Sequence, residues 1–150
     1  MVYGPNDDAK AEIKNIFWEE LAECIEEAKG KIYVTGDFNG RVGIKDEIYK
    51  DILEKYGEQI RNDNARRMLD MCQVNNMIVA NTFYEHKDMH TYTREEPSRG
   101  ERSMIDYMLI ERENRTSVMD VRVKRSAEIS SDHYLLVTKI RDRISKVCRP

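Results

Sequence analysis

The sequence predicts an α/β protein in which helices cover a mixed sheet, and three observations lead there. Helical and strand-like periodicities alternate over the first 80 residues, the second half is dominated by short β-prone runs, and 150 residues suffice for one ordinary core but not for two. Hydrophobic residues make up 40% and charged ones 35%, and no stretch comes near the roughly 18 apolar residues of a membrane span. Cys24, Cys72 and Cys148 are odd in number and lack CxxC spacing, which argues against a disulfide framework and a cysteine zinc site. Met1-Val2-Tyr3-Gly4-Pro5 has neither the basic nor the apolar region of a secretory signal. An intracellular site, nuclear or cytoplasmic, is the expectation.

Taken in order, Asn6 or Asp7 can cap a first helix over 8–29, with Ile13, Phe17, Leu21, Cys24 and Ala28 on its apolar stripe, Trp18 at the edge and Gly30 as its stop. Lys31 to Thr35 is a short buried strand between glycines, opening into the loop Gly36-Asp37-Phe38-Asn39-Gly40. Ile48, Ile52 and Leu53 predict a short helix over 46–56. Asn62 caps a second long helix to Asn75, with Ala65, Met68, Leu69 and Cys72 inward. Met77 to Ala80 is a second buried strand. Residues 84–102, polar and holding Pro97 and Gly100, form a long connection around a strand near His90 to Thr93. Ser103 to Ile110, Val118 to Val123 and Tyr134 to Ile140 complete the strands, and the domain is expected over 1–143 with a basic tail over 144–150.

The net charge of −3 is unevenly shared. Residues 1–90 carry 12 Lys+Arg against 18 Asp+Glu, whereas residues 91–150 carry 13 against 10. Arg94, Arg99, Arg102, Arg122, Lys124 and Arg125 are candidates for phosphate-backbone contact; a solvated face reads the same way in sequence.

Three clusters depart from local expectation. Asp37 follows a strand at the end where open α/β sheets present ligands, although a Gly-Asp turn is also ordinary punctuation. Asp106 interrupts the apolar run Met104-Ile105-Asp106-Tyr107-Met108-Leu109-Ile110, where a carboxylate needs a partner or the solvent face of an edge strand. His133, after Asp132, is a natural partner, because a buried carboxylate holds an imidazole in one tautomer; it reads equally as a turn residue.

Together these clusters resemble the signature of the endonuclease/exonuclease/phosphatase superfamily, and most closely the endonuclease domain of non-LTR (LINE-type) retrotransposons and the related craniofacial development protein 2-like sequences. The resemblance rests on Val2-Tyr3-Gly4-Pro5-Asn6, Gly36 to Gly43, Asn75 to Thr82, Ile105 to Ile110 and Ser131-Asp132-His133-Tyr134-Leu135-Leu136-Val137, in family order across nearly the whole chain. It implies a DNase I-like four-layer sandwich of two mixed sheets flanked by helices, and Mg²⁺-dependent (or Mn²⁺-dependent) nicking of DNA through its phosphate backbone, with no membrane partner. Hard cations and carboxylates suit that chemistry, since a phosphodiester needs charge neutralised on a nonbridging oxygen and an oriented water. By the same resemblance Asp37 orients or deprotonates the water and Asn39 holds a phosphate oxygen. His133, polarised by Asp106, meets the phosphate; Asp132 and Asp37 serve the metal; and Tyr3 and Asn6 contact the phosphate or brace the site.

The resemblance also implies an earlier asparagine and a metal-binding glutamate, on strands ahead of Val2-Tyr3, to which none of these residues maps. An N-terminally truncated fold is therefore expected, with weak metal binding, weak or absent catalysis and a possible partner segment supplying the missing strands. The alternative is a non-catalytic remnant or interaction module with the same fold. Tyr92-Thr93-Arg94 stands where relatives usually read threonine-tryptophan, and Ser103-Met104 where they often carry asparagine-glutamine.

Overall fold

The computed structural model describes residues 1–125 and 131–142. Its centre is a four-stranded mixed sheet built from β1 (Val2–Tyr3), β2 (Tyr33–Asp37), β6 (Asp106–Glu111) and β3 (Met77–Val79), in that spatial order. β4 (Arg94–Glu96) and β5 (Glu101–Ser103) form a separate hairpin ahead of β6 in the chain. β1 runs parallel to β2, while β6 is antiparallel to both β2 and β3. A second antiparallel pair, β7 (Val118–Lys124) and β8 (Leu135–Ile140), lies over the other face.

The side-chain alternation of β6 explains its buried apolar run. Tyr107 and Leu109 join the core beneath the helices, whereas Met108 and Ile110 join Val118 and Val121 beneath β7. Each fully buried residue of this kind contributes about 1.5–3 kcal/mol. On the helical side the Trp18 and Phe38 rings stack at 6.1 Å, and Phe38 meets Tyr107 at 6.2 Å. Gly36 permits the β1 approach: with φ +152°, a Cβ there would come within 1.9 Å of the Val2 carbonyl oxygen.

Helix α1 spans Ala11–Glu27 and α2 spans Asp63–Val74. Asn62 caps α2 as expected, its side chain accepting from the Ala65 N–H at 3.0 Å. The first helix differs. Lys10 is its N-cap and makes no side-chain cap bond, because Asn6 and Asp7 lie in the preceding turn. Its buried residues are Lys14, Trp18 and Ile25, so the inward face is rotated from the expected stripe: Ile13 and Cys24 are exposed, and Trp18 belongs to the core. Lys14 is tolerated inside because its ammonium meets Asp63 at 3.1 Å, tying α1 to the start of α2.

Residues 46–56 are turns rather than a helix: Tyr49, Ile52 and Leu53 are buried, but Ile48 is exposed and the backbone follows side-chain bonds such as Asp46 to the Tyr49 N–H. The strand expected near 90–93 is a 3-10 turn over Asp88–His90, and the pairing begins only at Arg94. Β-strand β2 extends two residues past the expected end, so Asp37 itself closes the ladder. Cys148 and the basic tail lie outside the described residues.

Candidate active site

The sheet register builds the site. β2 and β6 pair with Asp37 directly opposite Asp106, and β1 places Tyr3 opposite Asp37 on the other side. Two carboxylates on neighbouring strand ends repel unless a cation or proton intervenes. The turn before β8 delivers an imidazole between them, with His133 Nδ1 at 3.0 Å from Asp106 Oδ2 and Nε2 at 3.6 Å from Asp37 Oδ2. Asp132 Oδ1 lies 3.9 Å from that same Nε2. Asp106 thus lies on a strand flanked on both sides, partly buried and paired with the His133 imidazole, rather than on an edge strand facing solvent.

Burial raises the Asp37 carboxyl above its ordinary value; the Asn39 N–H opposes this, Asp106 adds repulsion, and His133 and Arg94 oppose it. Asp37 Oδ1 accepts the Asn39 N–H at 2.9 Å, leaving Oδ2 toward the imidazole. Asn39 sits at φ +49°, a left-handed conformation that asparagine tolerates, and its Nδ2 donates to the Gly4 carbonyl at 2.9 Å. The loop is clamped from α2 as well: Asn62 and Asn64 side-chain amides donate to the Asn39 carbonyl at 3.2 and 3.3 Å.

Several positioning residues carried no assignment in the sequence reading. Thr93, fully buried, accepts the N–H groups of both Ile105 and Asp106 at 3.1 Å. Asn81 straddles β6, donating to the Asp106 carbonyl at 3.1 Å and accepting from the Met108 N–H at 2.9 Å. Tyr107 donates its hydroxyl to the Gly40 carbonyl at 2.7 Å and also contacts the Met104 carbonyl, joining β6 to the Asp37 loop. The available signal was a polar side chain beside an apolar run; what it bonds to depends on strands distant in sequence.

Asp37, Asp106 and His133 offer ligand atoms within 4.8 Å of one another, a geometry that fits a cation-binding group. The donor chemistry fits a hard divalent ion, since the atoms of Asp37 and Asp132 that face Nε2 are carboxylate oxygens. Asp106 Oδ2 is engaged by His133 Nδ1 at 3.0 Å. Asp132 stands at the rim: its Oδ2 accepts Arg94 Nε at 2.7 Å, and that guanidinium holds its carboxyl below the ordinary range. Tyr3 is exposed and lines a cleft of about 400 Å³ with Asp37 and Asp106. Asn6 is exposed in the turn before α1 and makes no side-chain contact with the acid–imidazole cluster among the described hydrogen bonds. Of the expected backbone-contact cations, Arg122 is paired with Asp120, Arg125 with Glu95 and Arg102 with Asp88.

No family model matches the sequence. The chain is 29% identical over 154 aligned residues to craniofacial development protein 2 of Tragulus javanicus and, equally, of Bos taurus, taking in 99% of this chain and 26% of each relative. It thus spans about a quarter of the length of the curated relatives it matches. Among solved structures, a 3'-5' exonuclease (NExo) from Neisseria meningitidis superposes with a TM-score of 0.66 at 21% identity, covering 93% of this chain and 59% of that one. The 3' phosphatase NExo from Neisseria bound to a product DNA hairpin gives 0.63 at 17% identity, covering 89% and 56%. The endonuclease domain of TRAS1, a telomere-specific non-LTR retrotransposon, gives 0.61 at 15% identity, covering 95% and 57%. The chain has the DNase I-like fold of these solved structures and is similar in sequence, along its whole length, to craniofacial development protein 2.

Proposed function

We propose that these residues form part of a divalent-metal-dependent phosphodiesterase that nicks the DNA backbone. The observation that supports the reading most directly is the His133 imidazole held by Asp106 on one nitrogen while its other nitrogen faces Asp37 and Asp132. Likeness in fold to nucleases, one of them bound to a DNA hairpin, supports the substrate class.

In this reading Asp106 accepts from His133 Nδ1 and aims the ring, and Nε2 of the doubly protonated imidazole donates toward a phosphate oxygen and stabilises charge as it develops. Asp37, raised by burial and therefore more basic than a surface carboxylate, orients the attacking water and accepts its proton. Asn39 presents the loop to the phosphate, and Tyr3 lines the cleft on the β1 side. Mg²⁺ or Mn²⁺, held by Asp37 and Asp132, supplies charge neutralisation at the phosphate when bound. β8 pairs with β7 on one side among the described residues and exposes Leu135 and Ile140; a partner segment adding a strand there would extend that sheet. An intracellular, nuclear or cytoplasmic, setting is part of the same proposal.

Supercoiled plasmid tests the reading. Nicking that requires Mg²⁺ or Mn²⁺ and falls at least about 100-fold in both Asp37→Ala and His133→Ala supports it; nicking that survives either substitution defeats the assignment. Absence of nicking at saturating cation supports the second reading, a non-catalytic interaction module with the same fold. Arg94 favours that alternative, since it engages Asp132 Oδ2 and sets a fixed positive charge beside the Oδ1 that faces the cluster.

A further inference from the structure

Arg94 is placed against the site by backbone as well as side chain. It forms a β-bridge with His133; on either side, the Thr93 carbonyl accepts the Tyr134 N–H at 2.7 Å and the Glu95 N–H donates to the Asp132 carbonyl at 3.0 Å. Its guanidinium is shared between two acids, Nε on Asp132 Oδ2 at 2.7 Å and a terminal nitrogen on Glu96 at 3.1 Å. The same side chain lines a cavity of about 240 Å³ whose wall carries Arg41 and Arg102 as well as Asp7, Glu96 and Glu101, with Asn39 on the side of the acid–imidazole cluster.

We propose that Arg94 is a phosphate-binding latch: without nucleic acid it holds Asp132, and when a phosphodiester enters the adjoining cavity it passes to the phosphate and releases Asp132 to a divalent cation. This rests on the phosphodiesterase reading and deepens it by naming the residue that couples substrate to metal. The exchange is chemically matched, because a guanidinium fork binds phosphate oxygens as well as carboxylate oxygens. A cation approaching Asp132 in the latched state meets a fixed positive charge and an occupied oxygen. Moving that charge onto a phosphate removes both obstacles at once. Coupling of this kind is reciprocal, so the cation must also favour the phosphate-bound position of Arg94.

The test measures binding. Mn²⁺ affinity is followed by the electron paramagnetic resonance signal of the free ion in the wild-type chain, Arg94→Gln, Asp37→Asn and the double variant Arg94→Gln/Asp132→Asn. Affinity for a short fluorescein-labelled DNA duplex is followed by anisotropy in EDTA. Arg94→Gln is expected to bind Mn²⁺ about three- to tenfold more tightly, a gain absent from the double variant. It is also expected to bind the duplex about three- to tenfold more weakly, with a salt dependence shallower by about one phosphate contact. Mn²⁺ affinity unchanged or weakened in Arg94→Gln, or unchanged duplex affinity, overturns the latch. If Mn²⁺ binds the wild type and is lost in Asp37→Asn while Arg94→Gln has no effect, the latch alone fails. If neither wild type nor Arg94→Gln binds Mn²⁺ through Asp37, the phosphodiesterase reading fails with it.

Discussion

At the residue scale, Asp37 pits stability against function. Its folded carboxyl is raised above the ordinary 3.8, first by burial, so the folded protein holds that proton more tightly than the unfolded chain does. The penalty is absent well below 3.8, where both states are protonated; it grows as pH rises through the folded value and is complete at neutrality. Asp37→Asn keeps an acceptor for the Asn39 N–H and removes the charge. In metal-free buffer it is expected to melt about 2–4 °C higher than wild type at pH 7, a gap that closes toward pH 3, as read by thermal denaturation across pH. Thr93 behaves oppositely. Thr93→Val conserves volume but leaves the Ile105 and Asp106 N–H groups without their buried acceptor, so urea unfolding is expected to show a loss of about 2–4 kcal/mol.

At the scale of elements, the N-terminus of α2 supports the fold and the Asp37 loop together. Asn62 accepts from Ala65 and Arg41 N–H groups and donates to the Asn39 carbonyl. Asn62→Ala is therefore expected to destabilise by about 1–2 kcal/mol in urea titration, with faster amide exchange through 37–41 than in a surface control. Helix α1 shows why an apolar period alone misplaces a face. Its Ile13 and Cys24 belong to the stripe by spacing, yet the packed side is set by Trp18 against Phe38 and by the Lys14–Asp63 pair, both across sequence distances no local pattern covers. Iodoacetamide is expected to modify Cys24 in the native protein and Cys72 only after unfolding, resolved by peptide mass mapping, because Cys72 is fully buried and its thiol is pushed up to about 12.

At the scale of the whole molecule, the two faces of one sheet are covered by different layers, and the site lies where β2, β6 and the turn into β8 meet. A cation bound only by the folded arrangement stabilises it by mass action. Millimolar Mn²⁺ is expected to raise the melting midpoint of the wild type by about 1–4 °C and to leave Asp37→Ala unchanged, as measured by scanning calorimetry. The amino-acid sequence by itself determined the α/β class, the Asn62 cap and the buried apolar strands, because periodicity and capping act over a few neighbours; Asp37, Asp106, Asp132 and His133 are singled out by resemblance to a family, not by local pattern. Only the tertiary structure decided that His133 lies between Asp106 and Asp37, that Thr93 and Asn81 hold the Asp106 strand, that residues 46–56 are not helical and that Arg94 occupies Asp132. Those outcomes follow from strand register and chain crossings, which bring together side chains as far apart as 96 positions in sequence and leave no mark on the local pattern of either partner.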